Sequence, residues 1–324
     1  MITLALHGSN GHQVHWQLVR RPDPRVRLAA VSAFPEELVA ELRAAGLAGC
    51  DVLPDLDAVL ARRDVDLVVL CSPRRDRQAD EAVRCLRTGR HVYAEKPCAL
   101  SEADLDRVLA AASAAGRRFH EMAGTAFTQP FFAMRQVVRA GTIGEVVQVL
   151  AQKSYPLHAR RPQDEGVDGG LLMQAGIHAI RMIEQVGGVP VAGIVSAAET
   201  GLGNLVPGGG LRIAAAVQMR LANGGLASMA ANYLNPPAFG TWGNETLRVF
   251  GTQGMLEATD GGTRTRLVLR DRDAGPLDVS APGVDWFTAV VDEIVDGKPM
   301  PLALDDELHP TRVVIRAKAA AGAP

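Results

Sequence analysis

The segment Gly89–Pro97 (GRHVYAEKP) contains the residues best suited to acid–base chemistry. Lys96 follows a short apolar run, has a carboxylate neighbour in Glu95 and precedes Pro97. A lysine so placed can donate or accept a proton at a reacting oxygen or nitrogen, and its neighbours can position it and tune its pKa. The alternative is a surface lysine in an ordinary strand-to-helix turn. The catalytic interpretation therefore depends on the surrounding elements.

A glycine-rich turn follows the first apolar run of the chain and precedes an amphipathic stretch. Glycines in such a turn allow close backbone approach to a phosphate, and the helix N-terminus favours the anion. As G-x-G-x-x-G, the turn has Gly8 in place, with Asn10 second and Gln13 third. As G-x-x-G-x-x-G, it has Gly8 and Gly11, with Val14 third. Asn tolerates left-handed backbone angles, so we predict a dinucleotide-binding turn, with an ordinary βα turn as the alternative.

The end of the second predicted strand bears on cofactor choice. An Asp or Glu at this position would bind the adenosine ribose of NAD, but the chain has Ser32 followed by Ala33. The missing acid removes a repulsion toward a 2′-phosphate, so the sequence favours NADP over NAD. Ser32 has no neighbouring arginine to bind the 2′-phosphate, so such an arginine would have to be Arg74 or Arg75, from another loop.

Strand and helix signals alternate over residues 1–121. Val65–Cys71 is a nearly unbroken apolar run, as expected for a central parallel strand buried on both faces. The alternation predicts an α/β, doubly wound parallel sheet of Rossmann type with helices on both faces. Ligands of such sheets bind at the carboxyl ends of the strands. The loops after Leu6, Cys71 and Ala94 all lie at that edge, so Lys96 is expected to face the ligand crevice.

The pattern changes at residue 122, where a second domain, 122–324, is predicted. It has longer alternating runs joined by hairpin turns such as Asn223-Gly224, which indicate an α+β domain with an open, largely antiparallel sheet. Helical stretches are predicted at Phe131–Ala140, around His178, at Trp286–Val295 and near the end of the chain. For the last of these helices, residues 308–320, packing against the first domain is an alternative to packing within the second.

Composition excludes several classes of function. The net charge is −2 and no basic stripe stands out, so nucleic acid and membrane surfaces are not expected partners. No apolar run reaches the length of a membrane span, and the first strand follows Met1 without a signal-peptide pattern. The four cysteines form no C-x-x-C pair, and the eight histidines form no metal-binding cluster. We expect a cytoplasmic protein with buried thiols and no metal.

The chain resembles the Gfo/Idh/MocA oxidoreductases, the glucose–fructose oxidoreductase and inositol dehydrogenase group. The resemblance rests on five segments, 64-DVDLVVLCSP-73, 82-AVRCLRTGRHVYAEKPCALS-101, 141-GTIGEVVQV-149, 169-GGLLMQAGIHAI-180 and 245-ETLRVFGTQGMLEA-258. It implies a small-molecule substrate, typically a sugar, cyclitol or related alcohol that exchanges hydride with NAD or NADP. It also implies homodimer or homotetramer contacts through the C-terminal sheet. The family roles transfer to Lys96, which acts at the reacting oxygen, and to His178, which assists.

His178 lies on an otherwise apolar helix, where a core histidine bonded to backbone is the alternative to a proton relay. Three other residues depart from the family pattern. Gln174 occupies the place of the usual aspartate, one helical turn before the histidine, and can orient a hydroxyl but not accept a proton. Arg77 and Arg181 replace a histidine and an acid of the family. If they face the site, they would lower the pKa of Lys96 or clamp a carboxylate or phosphate; otherwise they point to solvent.

Three sets of candidate residues result. The catalytic candidates are Lys96, His178 and Gln174. The cofactor-binding candidates are Gly8, Asn10, Gly11, His12, Ser32, Ser72, Pro73, Arg77, Glu95 and Lys96. The substrate candidates are Lys96, Tyr93, Arg160, Arg161, Gln174, His178 and Asn232. Two other functions stay open: a redox-neutral lyase or hydrolase with a tightly held nucleotide, and a catalytically degenerate protein that binds a nucleotide or metabolite and regulates a partner.

Overall fold

The computed structural model describes residues 1–12, 14–47 and 49–322, so Gln13 lies outside the described residues. The chain divides into two compact units. The first comprises Met1–Met122 and Trp286–Leu304, and the second comprises Ala123–Asp285 and the chain from Asp305 onward. The first unit thus includes one late segment of the chain in addition to its N-terminal part, and the chain from Asp305 onward belongs to the second unit.

The first unit contains a six-stranded parallel sheet, which confirms the predicted Rossmann-type architecture. Its strands follow the order β3-β2-β1-β4-β5-β6, so the order reverses between β1 and β4, where open α/β sheets bind their ligands. The strands are β1 (Ile2–His7), β2 (Val26–Ser32), β3 (Asp51–Leu53), β4 (Leu67–Leu70), β5 (His91–Ala94) and β6 (Phe119–Glu121). The helices are α1 (Val14–Arg20), α2 (Glu36–Ala44), α3 (Leu56–Ala61), α4 (Arg75–Arg87) and α5 (Glu102–Ala115).

Local sequence accounts for these elements. All four residues of β4 are buried, as its apolar run predicts. Ser101 caps the N-terminus of α5, since its hydroxyl accepts a hydrogen bond from the Asp104 amide at 3.1 Å. Gly116 ends this helix with φ of 60°, a left-handed conformation that glycine adopts without strain.

The returning segment Trp286–Leu304 is anchored by contacts that no short-range pattern shows. The Trp286 indole donates to the carbonyl of Glu121 at 3.0 Å, and the ring of Phe287 lies 5.7 Å from that of Tyr93. The aromatic residues at the start of this segment therefore pack against β5 and β6.

The second unit contains an eight-stranded sheet in the order β14-β13-β12-β11-β7-β10-β9-β8. Its neighbouring strands are antiparallel except β7 and β10, which run parallel, so the prediction of a largely antiparallel sheet is confirmed. The strands are β7 (Val146–Ser154), β8 (Val191–Thr200), β9 (Ala214–Leu221), β10 (Leu226–Asn232), β11 (Asn244–Gly251), β12 (Gly254–Thr259), β13 (Arg264–Leu269) and β14 (Arg272–Gly275). The remaining helices are α6 (Phe131–Arg139), α7 (Glu165–Asp168), α8 (Ile177–Arg181), α9 (Trp286–Asp296, in the first unit) and α10 (Leu304–Ala321).

Helix α8 has an unusual local structure. It continues at both ends into π-helical turns, Leu172–Gly176 and Met182–Val186. Nearly every residue of this stretch is buried, and π-helical turns inside helices are frequent at functional sites. The helix that carries His178 is therefore part of the core of the second unit.

Three further observations concern the cysteines, helices long enough to span a membrane and groups of metal ligands. All four cysteines are buried free thiols. Across the part of the chain that the structure describes, no helix is long and apolar enough to cross a membrane, and no group of three or more His, Cys, Asp or Glu side chains could hold a metal ion.

Candidate active site

The glycine turn of the first unit packs closely against its neighbours. Gly8 has φ of 76°, and a Cβ atom there would lie 2.1 Å from the carbonyl oxygen of Cys71. The amide of Asn10 donates to that same carbonyl at 3.2 Å. Gly11 has φ of 120°, and a Cβ atom there would lie 2.5 Å from the carboxyl carbon of Glu95. Both glycines are therefore required by the way the turn closes on the ends of β4 and β5.

Glu95 connects the glycine turn to Lys96. Its Oε2 atom accepts a hydrogen bond from the His12 amide at 2.7 Å and also lies 2.7 Å from His12 Nδ1. Its Oε1 atom lies 4.0 Å from Lys96 Nζ. Burial alone would raise the pKa of Glu95, but the charges of His12, Lys96 and Arg75 together with the His12 hydrogen bond hold it at about 2. Glu95 is therefore ionised, and Lys96, only 5% exposed, lies beside a fixed negative charge.

Arg75, which the sequence suggested only as an arginine from another loop that could face a 2′-phosphate, joins the same network. It is 1% exposed, and its guanidinium donates to the carbonyl of Asn10 at 2.7 Å and to the side chain of Gln78 at 2.9 Å. The Gln78 amide in turn donates to the carbonyls of Glu95 at 2.5 Å and Pro97 at 3.1 Å. Arg75 and Gln78 thus hold the glycine turn and the Glu95–Pro97 segment in one arrangement.

Arg77, the arginine that the sequence favoured on this helix, is exposed. Helical phase explains the difference, since Arg75, Gln78 and Ala79 share the buried face of α4 while Arg77 lies on the other side. The sequence contained a signal for this helical phase, because the i, i+3, i+4 pattern of the inward residues begins at position 75.

Ser32 belongs to a buried polar network. It is fully buried, and its hydroxyl lies 2.9 Å from His7 Nδ1. His7 Nε2 lies 3.6 Å from Glu81, which accepts a hydrogen bond from the hydroxyl of Ser72. The structure therefore gives Ser32 and Ser72 internal partners, and Ser32 offers no exposed hydroxyl to a ribose.

Two other candidates of the first unit differ in exposure. Pro73 is exposed, and its carbonyl oxygen lies 3.5 Å from the side-chain amide nitrogen of Asn10. Tyr93 is buried, and its ring packs near Phe287. Pro73 is thus at the surface beside the glycine turn, whereas Tyr93 has a core position.

In the second unit, His178 is 6% exposed and its Nδ1 atom lies 2.8 Å from the hydroxyl of Thr125. The ring of Tyr155 lies edge-on at 6.3 Å between centroids. Gln174 is half-buried and donates its amide to the carbonyl of Asp168 at 2.8 Å. Gln174 thus fixes the loop before its own helix. Arg181 is fully buried, which excludes the alternative in which it points to solvent.

The two loop arginines differ sharply. Arg160 is exposed, whereas Arg161 is half-buried. Arg161 donates to the carbonyl of Pro156 at 3.0 and 2.8 Å, and its guanidinium carbon lies 3.7 Å from the centre of the Tyr233 ring. The remaining candidate, Asn232, accepts a hydrogen bond from the amide of Leu234 at 2.9 Å and so stabilises a turn.

Sequence reasoning also missed the aromatic residues around Arg161. Tyr155, Tyr233 and Trp242 all lie within 6 Å of its guanidinium carbon. Tyr155 and Tyr233 directly follow β7 and β10, and only the structure shows that these strands are adjacent and parallel, so that both residues emerge at the same end of the sheet. The chain has only three tyrosines and three tryptophans, so this grouping uses half of them.

The strand order and glycine turn of the first unit define a dinucleotide-binding domain of the Rossmann class. A family model described as an oxidoreductase family with an NAD-binding Rossmann fold matches residues 2–122, and the GFO/IDH/MocA C-terminal domain model matches residues 131–257. The chain therefore belongs to the Gfo/Idh/MocA oxidoreductase family, as its motifs predict.

Individual relatives agree with this assignment. The chain is 35% identical over 138 residues to dTDP-3,4-didehydro-2,6-dideoxy-alpha-D-glucose 3-reductase of Streptomyces violaceoruber, covering 41% of this chain and 40% of that protein. It is 33% identical over 162 residues to inositol 2-dehydrogenase of Rhizobium meliloti (strain 1021), covering 48% and 46%. The chain thus spans less than half the length of these two curated relatives.

Solved structures share the fold over nearly the whole chain. An aldose–aldose oxidoreductase from Caulobacter crescentus, solved with glycerol, superimposes with a TM-score of 0.79 at 23% identity and covers 99% of this chain and 97% of its own. At this level of identity the likeness shows the fold.

Proposed function

We propose that the protein is an NAD(P)-dependent oxidoreductase that transfers a hydride between nicotinamide and a small sugar, cyclitol or related hydroxy or carbonyl compound. The observation that carries the proposal is the buried Lys96, whose Nζ lies 4.0 Å from an ionised Glu95 that is itself bonded to the glycine turn. This arrangement couples a proton-handling group to a dinucleotide-binding loop. Family membership and the sugar and cyclitol names of the relatives support the substrate class.

The residues of the first unit fit a dinucleotide. The turn between β1 and α1 lies at the switch point of the sheet, and its residues Gly11 and His12 are exposed. When bound, the nicotinamide supplies or accepts the hydride. The turn Gly8–His12 would hold the pyrophosphate through its backbone, although the His12 amide is donated to Glu95 and would have to be shared or released.

Lys96 would give or take the proton at the substrate oxygen while the hydride moves at carbon. The carboxylate of Glu95 places a fixed negative charge 4.0 Å from the amine, and the ammonium form of Lys96 would stabilise negative charge on that oxygen. His178 is proposed as the second proton-handling residue, oriented by Thr125. Gln174, held by the loop carbonyl of Asp168, would position a substrate hydroxyl.

We propose NADP as the cofactor. The position after β2 carries no acid that would repel a 2′-phosphate, since Ser32 is followed by Ala33 and Phe34. The buried hydroxyl of Ser32 lends no support to a direct contact, so the preference rests on the missing carboxylate.

Nucleotide binding and turnover test the proposal together. The purified protein would be denatured to identify any nucleotide released, and native protein would be titrated with NADH and NADPH by fluorescence. We expect binding of at least one, tighter for NADPH, and hydride transfer with a member of a sugar and cyclitol panel. A co-purifying nucleotide that does not exchange would favour the redox-neutral alternative. Absence of binding would favour a regulatory protein.

We also propose a homodimer or homotetramer formed through the sheet of the second unit. The outward face of that sheet has a shallow hollow of about 330 Å³ with a mainly apolar lining that includes Leu150, Ala216 and Ala230. Exposed Val147 and Leu226 lie on neighbouring strands. Light scattering after size-exclusion chromatography should give a dimer or tetramer mass, and Ala230→Arg should lower it. A monomer at all concentrations would refute the assembly.

A further inference from the structure

Four side chains of the second unit, Arg161, Tyr155, Tyr233 and Trp242, form what we call the arginine–aromatic cluster. The Arg161 guanidinium carbon lies 3.7 Å from the Tyr233 ring centre and 5.9 Å from each of the other two ring centres. The Tyr155 and Trp242 rings lie 6.1 Å apart. A planar cation thus lies among three ring systems.

Backbone hydrogen bonds build this cluster from distant parts of the chain. The Arg161 amide donates to the carbonyl of His158 at 3.1 Å, which forms the turn that brings the arginine back toward β7. Asn235, nearly fully buried, donates its side-chain amide to the carbonyl of Trp242 at 3.2 Å, and its own amide donates to the carbonyl of Tyr155 at 3.1 Å. Asn235 thereby positions Trp242 beside Tyr155.

Arg161 differs from the other cation on the same ring system. Lys153 also lies over the Tyr155 ring, at 4.7 Å, but it forms a salt bridge with Glu245. Among the residues for which the structure gives positions, no carboxylate is within salt-bridge distance of Arg161. Burial lowers the pKa of Arg161. The opposing effects are weaker: electrostatic attraction to Tyr233 and Asp168, and a contact with the Tyr233 phenol. Arg161 is thus a partly desolvated cation without a carboxylate ion pair.

The geometry leaves room for a ligand. Arg161 uses its Nε and one Nη for the Pro156 carbonyl, and a guanidinium has five N–H donors, so donors remain. Trp242 is 60% exposed, although its ring lies 6.1 Å from that of the half-buried Tyr155. An exposed indole next to a guanidinium offers stacking to a ring and charge-assisted hydrogen bonds to an oxyanion.

The cluster is continuous with a candidate catalytic residue. Tyr155 lies 6.3 Å from His178 edge to face and also belongs to the cluster. A ligand group held by Arg161 therefore lies on the same side of the second unit as the imidazole.

We propose that the arginine–aromatic cluster is a substrate subsite that binds an oxyanion, a carboxylate or phosphate carried by the sugar or cyclitol ring, with the ring stacked on Trp242. The inference rests on the proposed function, because it takes the His178 region as the substrate site. It narrows the substrate class from neutral polyols to acidic sugar or cyclitol derivatives.

Binding measurements on the full-length protein test the subsite without requiring turnover. Calorimetry and saturation-transfer NMR would use three probes that share one ring: D-glucuronate, D-glucose 6-phosphate and neutral D-glucose. We expect one anionic probe to bind at least about tenfold more tightly than glucose, as a charge-assisted hydrogen bond implies. The preferred anion distinguishes a carboxylate from a phosphate. Equal binding of all three probes, or binding of none, overturns the proposal.

Matched variants localise the effect. Arg161→Gln should abolish the anionic preference, Arg161→Lys should retain part of it, and Arg160→Gln, at the exposed neighbour, should leave it intact. Thermal unfolding and NADPH titration check that Arg161→Gln folds, and if it does not, Arg161→Lys and Trp242→Phe carry the test. An anionic preference unchanged in Arg161→Lys and Trp242→Phe overturns the subsite. Anion binding without hydride transfer to any probe would retain the subsite and refute the proposed reaction.

Discussion

The two regions that carry the candidate chemistry are built in opposite ways. In the first unit, the glycine turn, Glu95, Lys96 and Arg75 form a buried network in which the negative charge is compensated by cations and hydrogen bonds. In the second unit, Arg161 lies among aromatic rings without a carboxylate ion pair in the described chain, and Trp242 is exposed. A buried network whose charges are balanced suits a chemical step that is common to many substrates. A cation without an ion pair suits the recognition of a particular substrate group.

The largest effect expected in the first region comes from Lys96→Met, which keeps most of the length of the side chain and removes the amino group that carries the proton. We expect kcat to fall by about 10²–10⁴-fold, the usual contribution of a positioned acid or base, while NADPH binding stays within a few-fold. Stopped-flow hydride transfer and fluorescence titration measure the two. Lys298→Met, at an exposed lysine, is the control. Wild-type turnover in Lys96→Met would remove the central claim of the proposed mechanism.

Glu95→Gln tests whether the network couples the glycine turn to Lys96. The neutral amide keeps the shape but loses the charge that holds His12 and Lys96, so we expect nucleotide affinity to fall by about tenfold or more. Stability should fall as well. The folded pKa of about 2 lies below the ordinary value of 4.5, so the ionised carboxylate stabilises the fold above pH 4.5, and that contribution is lost as the pH falls toward 2.

Urea titrations at pH 7 and at pH 3 would measure this stability difference. The gap in unfolding free energy between wild type and Glu95→Gln should be on the order of 3 kcal/mol at pH 7 and should narrow at pH 3. Asp80→Asn, at an exposed carboxylate, serves as the control. A gap that is constant with pH would mean that Glu95 contributes only by packing.

The contrast between Arg75 and Arg77 shows how far sequence reasoning reached. The strand–helix alternation, the position of Lys96 after β5 and the helix of His178 were all readable from periodicity and motifs, because these are local patterns. Helix α4 begins at Arg75, and the sequence analysis did not assign the phase of this helix, so it missed the inward face on which Arg75 lies. Element boundaries depend on capping and tertiary contacts, so they are less well determined by pattern than element type.

Long-range contacts set a second limit. Trp286 contacts β6 at a sequence separation of 165 residues, and Trp242 lies beside Arg161 at a separation of more than 80 residues. Such contacts depend on strand register and on buried anchors such as Asn235, which a single sequence does not display. The aromatic character of the second region was therefore visible only once β7 and β10 were seen to be adjacent.

Arg75→Lys and Arg77→Lys make a matched pair that tests whether the buried guanidinium of Arg75 supports the glycine turn of the first region. Lysine keeps the charge, but its single ammonium cannot bond both Asn10 and Gln78 as the guanidinium does. We expect Arg75→Lys to lower the unfolding free energy by about 2 kcal/mol, the cost of leaving buried polar groups unsatisfied, and to weaken NADPH binding several-fold. Arg77→Lys should change neither by a measurable amount. Equal effects of both would show that the glycine turn does not depend on the buried arginine.

The smallest effect is expected in the second region, from removing the partner of His178. Thr125→Val deletes the hydroxyl that lies 2.8 Å from His178 Nδ1 and keeps the shape of the side chain. If the imidazole handles a proton, losing this partner changes the hydrogen bonding at Nδ1 that helps to set its orientation and tautomer, so kcat should fall only a few-fold while the pH dependence of kcat/KM shifts. Thr128→Val, at a neighbouring hydroxyl bonded to the Thr125 carbonyl, is the matched control. A purely structural His178 would give a lower melting temperature with an unchanged pH profile, and the second region would then recognise substrate without taking part in proton transfer.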